Sequence, residues 1–362
     1  MIKIFLIILL FFHGMIHLLG FLKAFQIAEI NQLTQNISKS MGLFWLSALI
    51  LFLVAAIQLL INNKLWWITA LIALIFSQIL ILSVWQDAKF GTIANIIILL
   101  SAIAGYGSWS FENHFKKDVA VNLETNSKIK KNLLTETDIV HLPLPVQKYL
   151  RYSGVINKEQ VENVKIILDV EMRAKGKDWF KATSVQYNFF NDPARLFFMK
   201  AKMFGITVPG YHRYVAAKAT MDIRLFGSFP IVKQSGDIMN KTETVTLFND
   251  MCLLVPAALI DNRIQWEPID SLTTKAVFTN KGISISAILY FNEKGQLINF
   301  ISDDRTEVNE MKQYRFSTPV NGYRNINGIN VMSGGEAIWH YPDGEFTYGK
   351  FSLNNIQYNL AD

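Results

Sequence analysis

Four apolar runs, at residues 4–21, 42–61, 65–85 and 92–111, constrain this chain more than any other feature. Each is about as long as a helix needs to cross a hydrocarbon core roughly 30 Å thick at about 1.5 Å per residue. Residues 1–111 carry five Lys, no Arg, and only Glu29 and Asp87 as acids. The 251 residues beyond them carry 30 basic and 27 acidic groups, the mixed balance of a water-facing domain. The sequence therefore predicts a membrane unit over 1–111, a polar linker over 112–132 and a β-rich domain over 133–362.

The net charge of +6 is shared equally between the two halves. A basic bias beside a membrane points to anionic headgroups, and no Lys/Arg-rich run lies on a recognition helix, so no nucleic-acid partner is expected. The single cysteine, Cys252, excludes an internal disulfide and any zinc site with two Cys ligands. Lys3 and the first run resemble a secretion signal, but no small-x-small site follows Phe21 and three more runs come after, so a retained span is expected.

Four spans place both ends on one side of the membrane. Lys3, Lys64, Lys116, Lys117, Lys128, Lys130 and Lys131 fall on that side, and Lys23, Lys39 and Lys89 on the other. The positive-inside rule then predicts a multi-pass protein of the cell (inner or plasma) membrane with its β-rich domain in the cytoplasm. Trp45, Trp66, Trp67, Trp85 and Trp109 lie mostly near run ends, where amphipathic rings settle at headgroup depth.

His13 and His17 are four apart and share one helix face. That spacing suits a metal or haem, but no second histidine pair exists in the other runs. The expected role is packing, with hydrogen bonds to Gln58, Gln78 or Asn95. No metal or cofactor is expected. Asp87 and Lys89 sit in the short loop between the third and fourth runs, as a pair or an interfacial anchor.

Beyond the linker, Thr137 or Asp138 can cap a turn, and residues 146–152 form a short helix closed by Gly154. Period-2 patterning follows. Val164, Ile166, Leu168, Val170 and Met172 alternate with Lys165, Asp169, Glu171 and Arg173, as in a half-buried strand. Further strands are expected near 180–190, 196–204, 210–219, 221–225, 264–268, 273–279, 283–291, 297–304, 312–317, 323–326, 329–338 and 347–358, with Asn- and Gly-bearing reversals between several of them. An apolar helix over 245–260 interrupts the series. The expected fold is thus a four-helix transmembrane bundle followed by an α+β domain. In that domain a large antiparallel sheet curves into a half-barrel, with the 245–260 helix on its concave side.

Three stretches carry a resemblance. They are Leu142-Pro-Leu-Pro-Val-Gln-Lys-Tyr-Leu-Arg-Tyr-Ser-Gly154, Pro256-Ala-Ala-Leu-Ile260 with Trp266-Glu-Pro-Ile-Asp270, and Gly335-Glu-Ala-Ile-Trp-His-Tyr-Pro-Asp-Gly-Glu-Phe-Thr-Tyr348. Together they resemble a bacterial family of uncharacterised proteins, a domain of unknown function. The runs His13-Gly-Met-Ile-His-Leu-Leu-Gly-Phe21 and Trp85-Gln-Asp-Ala-Lys-Phe-Gly91 are similar to the membrane half of its longer members. The resemblance implies no catalytic residues. It implies a curved sheet similar in outline to lipoprotein-carrier half-barrels, which bind acyl chains on a concave apolar face.

Familiar catalytic motifs are missing: no phosphate-cradling Gly-rich loop, no Gly-x-Ser-x-Gly and no His-Glu-x-x-His. Glu267 and Asp270 beside an apolar segment, Asp304 within Asp303-Asp304-Arg305, and His340 with Glu336 are the acid–base candidates. Structural pairing explains the same groups. His212 and Arg213 suit a phosphate or plain surface charge, and Cys252 on an apolar helix reads as an inert buried thiol. The strands also supply large, soft side chains. Phe197, Met199, Met203, Phe204, Trp266 and Trp339 are the candidates for contact with a ligand. The expected function is binding of an apolar or amphipathic, lipid-like ligand. The alternatives are an enzyme acting on a membrane-derived substrate and a structural partner module for another membrane protein.

Overall fold

The computed structural model describes residues 2–126, 132–203, 205–308 and 310–361. Contacts group the chain into two compact units. One is Met1–Asn113 with Phe204–Ile206 and Leu225–Phe229; the other is His114–Met203, Thr207–Arg224 and Pro230–Asp362.

Helices α1 (Ile2–Ala24), α2 (Lys39–Leu60) and α3 (Trp66–Ser83) of the first unit, and α5 (Gly91–Asn126), whose residues from His114 on count with the second, are long and apolar enough to cross a membrane. A one-turn helix, α4 (Trp85–Ala88), joins α3 to α5. Ser38 caps α2 by accepting from the Met41 amide. Small residues let the helices approach: a Cβ added at Gly20 would lie 2.1 Å from the Trp45 ring, and one at Gly42 2.4 Å from Ala24.

His13, His17, Ser77, Gln78 and Asn95 inside this unit hydrogen-bond to one another, whereas the buried Oε1 of Gln58 has no partner among the described residues. His13 Nε2 lies 2.9 Å from Asn95 Oδ1, and His17 Nε2 lies 3.0 Å from the Ser77 hydroxyl. The Nδ1–H of His17 donates to the His13 carbonyl at 2.8 Å, and Asn95 Nδ2 donates to Gln78 Oε1 at 3.0 Å. Asp87 does not pair with Lys89. Its carboxylate accepts the Thr34 amide at 2.6 Å and the Thr34 hydroxyl at 2.9 Å, tying together two inter-helix loops.

The fourth long helix does not stop where its apolar run ends. It continues to Asn126 through most of the stretch expected as a linker. Phe111, Phe115 and Val119 recur every fourth residue and are buried, so one stripe stays apolar although the composition turns polar. Lys128, Lys130 and Lys131 of that stretch lie outside the described residues.

The second unit begins with α6 (Glu136–Ile139), where Thr135 and Asp138 form a reciprocal capping box, and α7 (Leu144–Ser153). Gly154 closes α7 at φ 71°, a left-handed conformation that glycine adopts without a Cβ clash. Six strands follow: β1 (Asn163–Met172), β2 (Phe180–Phe189), β3 (Ala194–Met203), β4 (Ile206–Val215), β5 (Lys218–Leu225) and β6 (Phe229–Ser235). Then come α8 (Asp237–Leu254), a 3-10 turn at Pro256–Ile260, and β7 (Ile264–Pro268), β8 (Thr273–Asn280), β9 (Ile283–Phe291) and β10 (Leu297–Ser302). A two-residue pair, β11 (Thr306–Glu307) and β12 (Lys312–Gln313), precedes β13 (Arg315–Ser317), β14 (Val320–Ile326), β15 (Ile329–Tyr341) and β16 (Gly344–Tyr358).

Among the described residues, fourteen of these strands form one curved antiparallel sheet. Its order is β6-β5-β4-β3-β2-β1-β16-β15-β13-β10-β9-β8-β7, with β14 beside β15. The outer strands of that order, β6 and β7, are consecutive in the chain, and α8 lies between them. The chain thus passes from one open edge to the other carrying a helix. Phe248 of α8 stacks on Phe278 at 5.3 Å and meets Phe300 edge-on at 5.9 Å, so the helix is buried against the far half of the sheet.

Helix α8 starts eight residues earlier than the expected 245 and is interrupted at Val255. The residue before proline is driven from helical backbone by the ring of Pro256, and Val255 sits at φ −134°, ψ 62°. Phe229–Ser235 is a strand that alternation did not single out; its residues are almost all exposed or half-buried.

Candidate functional site

A cavity of about 630 Å³ lies between the curved sheet and α8, entirely within the second unit. The side-chain period of 2 turns alternate residues of each strand toward it. Leu168, Phe197, Met199, Met221, Met332 and Trp339 supply apolar wall from four strands, and Met239 and Leu253 add to it from α8. Methionine is unbranched and polarizable, so such walls adapt to the shape of a guest.

One polar cluster interrupts the apolar wall. Arg195 of β3 donates through Nε to Asp250 at 2.7 Å, through Nη1 to Glu243 at 3.1 Å, and through Nη2 to Gln186 at 3.1 Å. Gln186 and Asn188 also donate to Asp250, at 2.6 and 3.2 Å. The second oxygen of Glu243 lies 3.1 Å from His212 Nδ1. Glu243 and Asp250 are seven apart, two turns of α8, so both project onto the same strands. Burial alone raises the Glu243 carboxyl, but the adjacent Arg195 charge and the His212 bond outweigh it and hold the group at about 2. Burial lowers the Arg195 guanidinium, and the two carboxylates more than restore it. The cluster is therefore a fully bonded ionic clamp from helix to sheet. A carboxylate held this low keeps its charge near neutral pH and has no proton to give.

A second arginine faces the cavity differently. Arg305, between β10 and β11, lies over Phe316 at 4.0 Å, with Trp339 at 5.2 Å and Tyr348 at 5.9 Å. Its Nη1 donates to the Tyr348 hydroxyl at 2.7 Å.

The structure distributes the sequence candidates unevenly. Phe197, Met199 and Trp339 come together on the cavity. Met203 is half-buried at the end of β3 and Trp266 is half-buried on β7, and neither lines it. Phe204 lies outside the described residues. Glu267 is exposed and pairs with Lys275 at 3.0 Å, and Asp270 is exposed and accepts the Leu272 amide at 2.8 Å. Asp304 accepts from Lys241 and from the Ser286 amide, each at 2.7 Å. Burial raises its carboxyl, and these bonds more than offset the effect. His340 lies 2.8 Å from the Ser317 hydroxyl and 3.2 Å from Glu345. No two of these four acid–base candidates share a bond among the described residues, and none lines the cavity, whereas Glu336, named with His340, does.

His212 and Arg213 point to opposite faces of β4: His212 inward to Glu243, Arg213 to Asp118 at 3.1 Å. Cys252 is buried, and burial pushes its thiol well above the ordinary value, where it is inert. Arg195, Glu243 and Asp250 escaped the sequence reading, because their partners are distant in sequence. The one local signal is two acids seven apart in a helix of mixed polarity.

The model of a family of unknown function, DUF6544, matches residues 132–351. No curated protein matches the chain. Among solved structures, the chain is similar to a domain named as that of an outer membrane lipoprotein-sorting protein from Vibrio parahaemolyticus. That likeness has a TM-score of 0.36 at 7% identity, over 60% of this chain and 92% of that one. It is also similar to a LolA superfamily protein from Nitrosomonas europaea, with a TM-score of 0.36 at 9% identity, over 60% of this chain and 94% of that one.

Proposed function

The chain belongs to DUF6544, a family of unknown function, and we propose that its β-rich domain binds a single apolar or amphipathic, lipid-like ligand while its four long helices hold it in a bilayer. The observation that carries this reading is the cavity of about 630 Å³ walled by Leu, Met, Phe and Trp side chains. Ligand sites commonly measure about 300–1,000 Å³ and pair an apolar lining with a few fixed polar groups. Each methylene moved from water into such a wall contributes about 0.8 kcal/mol. The Arg195–Glu243–Asp250 clamp fixes the helix that covers the cavity without consuming the apolar wall.

The lysine balance around the four helices supports the inner or plasma membrane, with the β-rich domain on the cytoplasmic side. A ligand drawn from that membrane would need no long passage through water.

Full-length protein purified in detergent should retain lipid beyond what its helices hold. The control is the double variant Met199→Trp with Met221→Trp, which fills the cavity from β3 and β5. Quantitative lipid extraction should show about one fewer lipid per chain in the variant. Equal lipid in two equally stable proteins would sink the reading.

A further inference from the structure

Burying a guanidinium without a counter-charge is costly, so buried arginines are ordinarily paired. The cavity is lined by the buried Arg195 and by the half-buried Arg305. Arg195 donates to three partners, two of them carboxylates. Arg305 has no ion pair with any carboxylate among the described residues, and its buried Nε has no hydrogen-bond acceptor. Its charge reaches Glu243, but both oxygens of Glu243 already serve Arg195 and His212.

What surrounds Arg305 is a box of rings. Phe316, Trp339 and Tyr348 take up its flat face, and the Tyr348 hydroxyl accepts from one terminal nitrogen. Aromatic faces stabilise a guanidinium and hold it in one plane. The backbone is fixed as well: the Tyr314 amide donates to the Arg305 carbonyl at 3.3 Å, and the next amide, of Thr306, donates to Thr242 of α8 at 3.2 Å. A guanidinium is a rigid fork of N–H donors matched to planar, two-oxygen acceptors. Here the fork is oriented in advance and incompletely used, on the wall of the cavity.

We propose that Arg305, held in the Phe316–Trp339–Tyr348 box, is the anchor for the anionic head of the ligand, a carboxylate or phosphate, whose chain fills the apolar wall. This rests on the cavity reading above and adds the chemical class of its ligand. The anion belongs to an amphiphile or is a free oxyanion; the recognising chemistry is the same.

The test uses full-length protein in nanodiscs of neutral lipid and the neutral fluorophore N-phenyl-1-naphthylamine as cavity probe. Dodecanoate and its methyl ester, with one chain length and different heads, compete for it. Wild type should bind dodecanoate at least about tenfold more tightly than the ester, a difference of about 1.4 kcal/mol. Arg305→Met keeps bulk over the rings and should erase the preference. Arg305→Lys keeps charge without the fork and should retain part of it.

Equal binding of acid and ester by wild type, with fluorophore binding intact and no rise in Tm from inorganic phosphate, overturns the anchor and leaves the cavity reading standing. Fluorophore binding unaltered by Met199→Trp with Met221→Trp overturns both. Inorganic phosphate is the third probe. If it raises the Tm of wild type and not of Arg305→Met, while dodecanoate gains nothing over its ester, the anion anchor holds and its source is a free oxyanion.

Discussion

Replacing Glu243 by Gln tests the ionic clamp by changing one oxygen and one charge. The Glu243 side chain is 4% exposed, so solvent screens its interaction with Arg195 very little. Its folded value of about 2, set against an ordinary 4.5, corresponds to about 3 kcal/mol of stabilisation. Because the folded value is depressed, the folded state binds fewer protons than the unfolded one. The stabilisation is therefore complete above about 4.5 and disappears as pH falls toward 2. At pH 7 the variant should open the α8–β3 region about a hundredfold more readily. Hydrogen–deuterium exchange of peptides from Asp237–Leu254 and Ala194–Met203, corrected for intrinsic rates, reads that opening directly. Repeating the measurement down to pH 3 should narrow the gap between wild type and variant. A gap absent at pH 7, or one that widens on acidification, would refute the reasoning.

Phe248 is fully buried between Phe278 and Phe300. Phe248→Ala should cost about 3–5 kcal/mol, seen as a lower urea midpoint for the β-rich unit. Gly20→Ala places a methyl 2.1 Å from the Trp45 ring and should lower the thermal stability of the helical unit by about 1–3 kcal/mol. An unchanged melting curve read from Trp45 fluorescence would contradict that packing. Asn95→Leu removes the partner of buried His13 and should cost about 1–3 kcal/mol in the same assay.

Much of the architecture was legible because it repeats. The alternation at Val164, Ile166, Leu168 and Val170 marks β1, and all four are buried. Charge content separated the four apolar helices from the sheet. What escaped was structure whose burial is polar. The first two turns of α8 contain Thr242, Glu243 and Thr244, all buried, yet their sequence reads as a solvated surface. They are buried because Arg195, His212 and Tyr214 face them from strands, and no local period encodes a partner that far away. Likewise the 112–126 stretch reads as linker by composition, while its apolar stripe carries the helix onward. The cavity wall was partly visible in Phe197, Met199 and Trp339. Which carboxylates meet in space was not, since strand order rather than sequence spacing decides it.

The sheet order places a seam at its middle. There β1, the first strand made, pairs with β16, the last, with Val164 opposite Tyr358. On a ribosome, β1–β6 can assemble as one meander while the strands that complete the sheet are still unmade. The two halves join only after Gly344–Tyr358 emerges, and such long-range closure slows folding. Until that moment β1 is an unprotected edge. Losing β16 would therefore leave two separate meanders, each with a bare edge open to other chains.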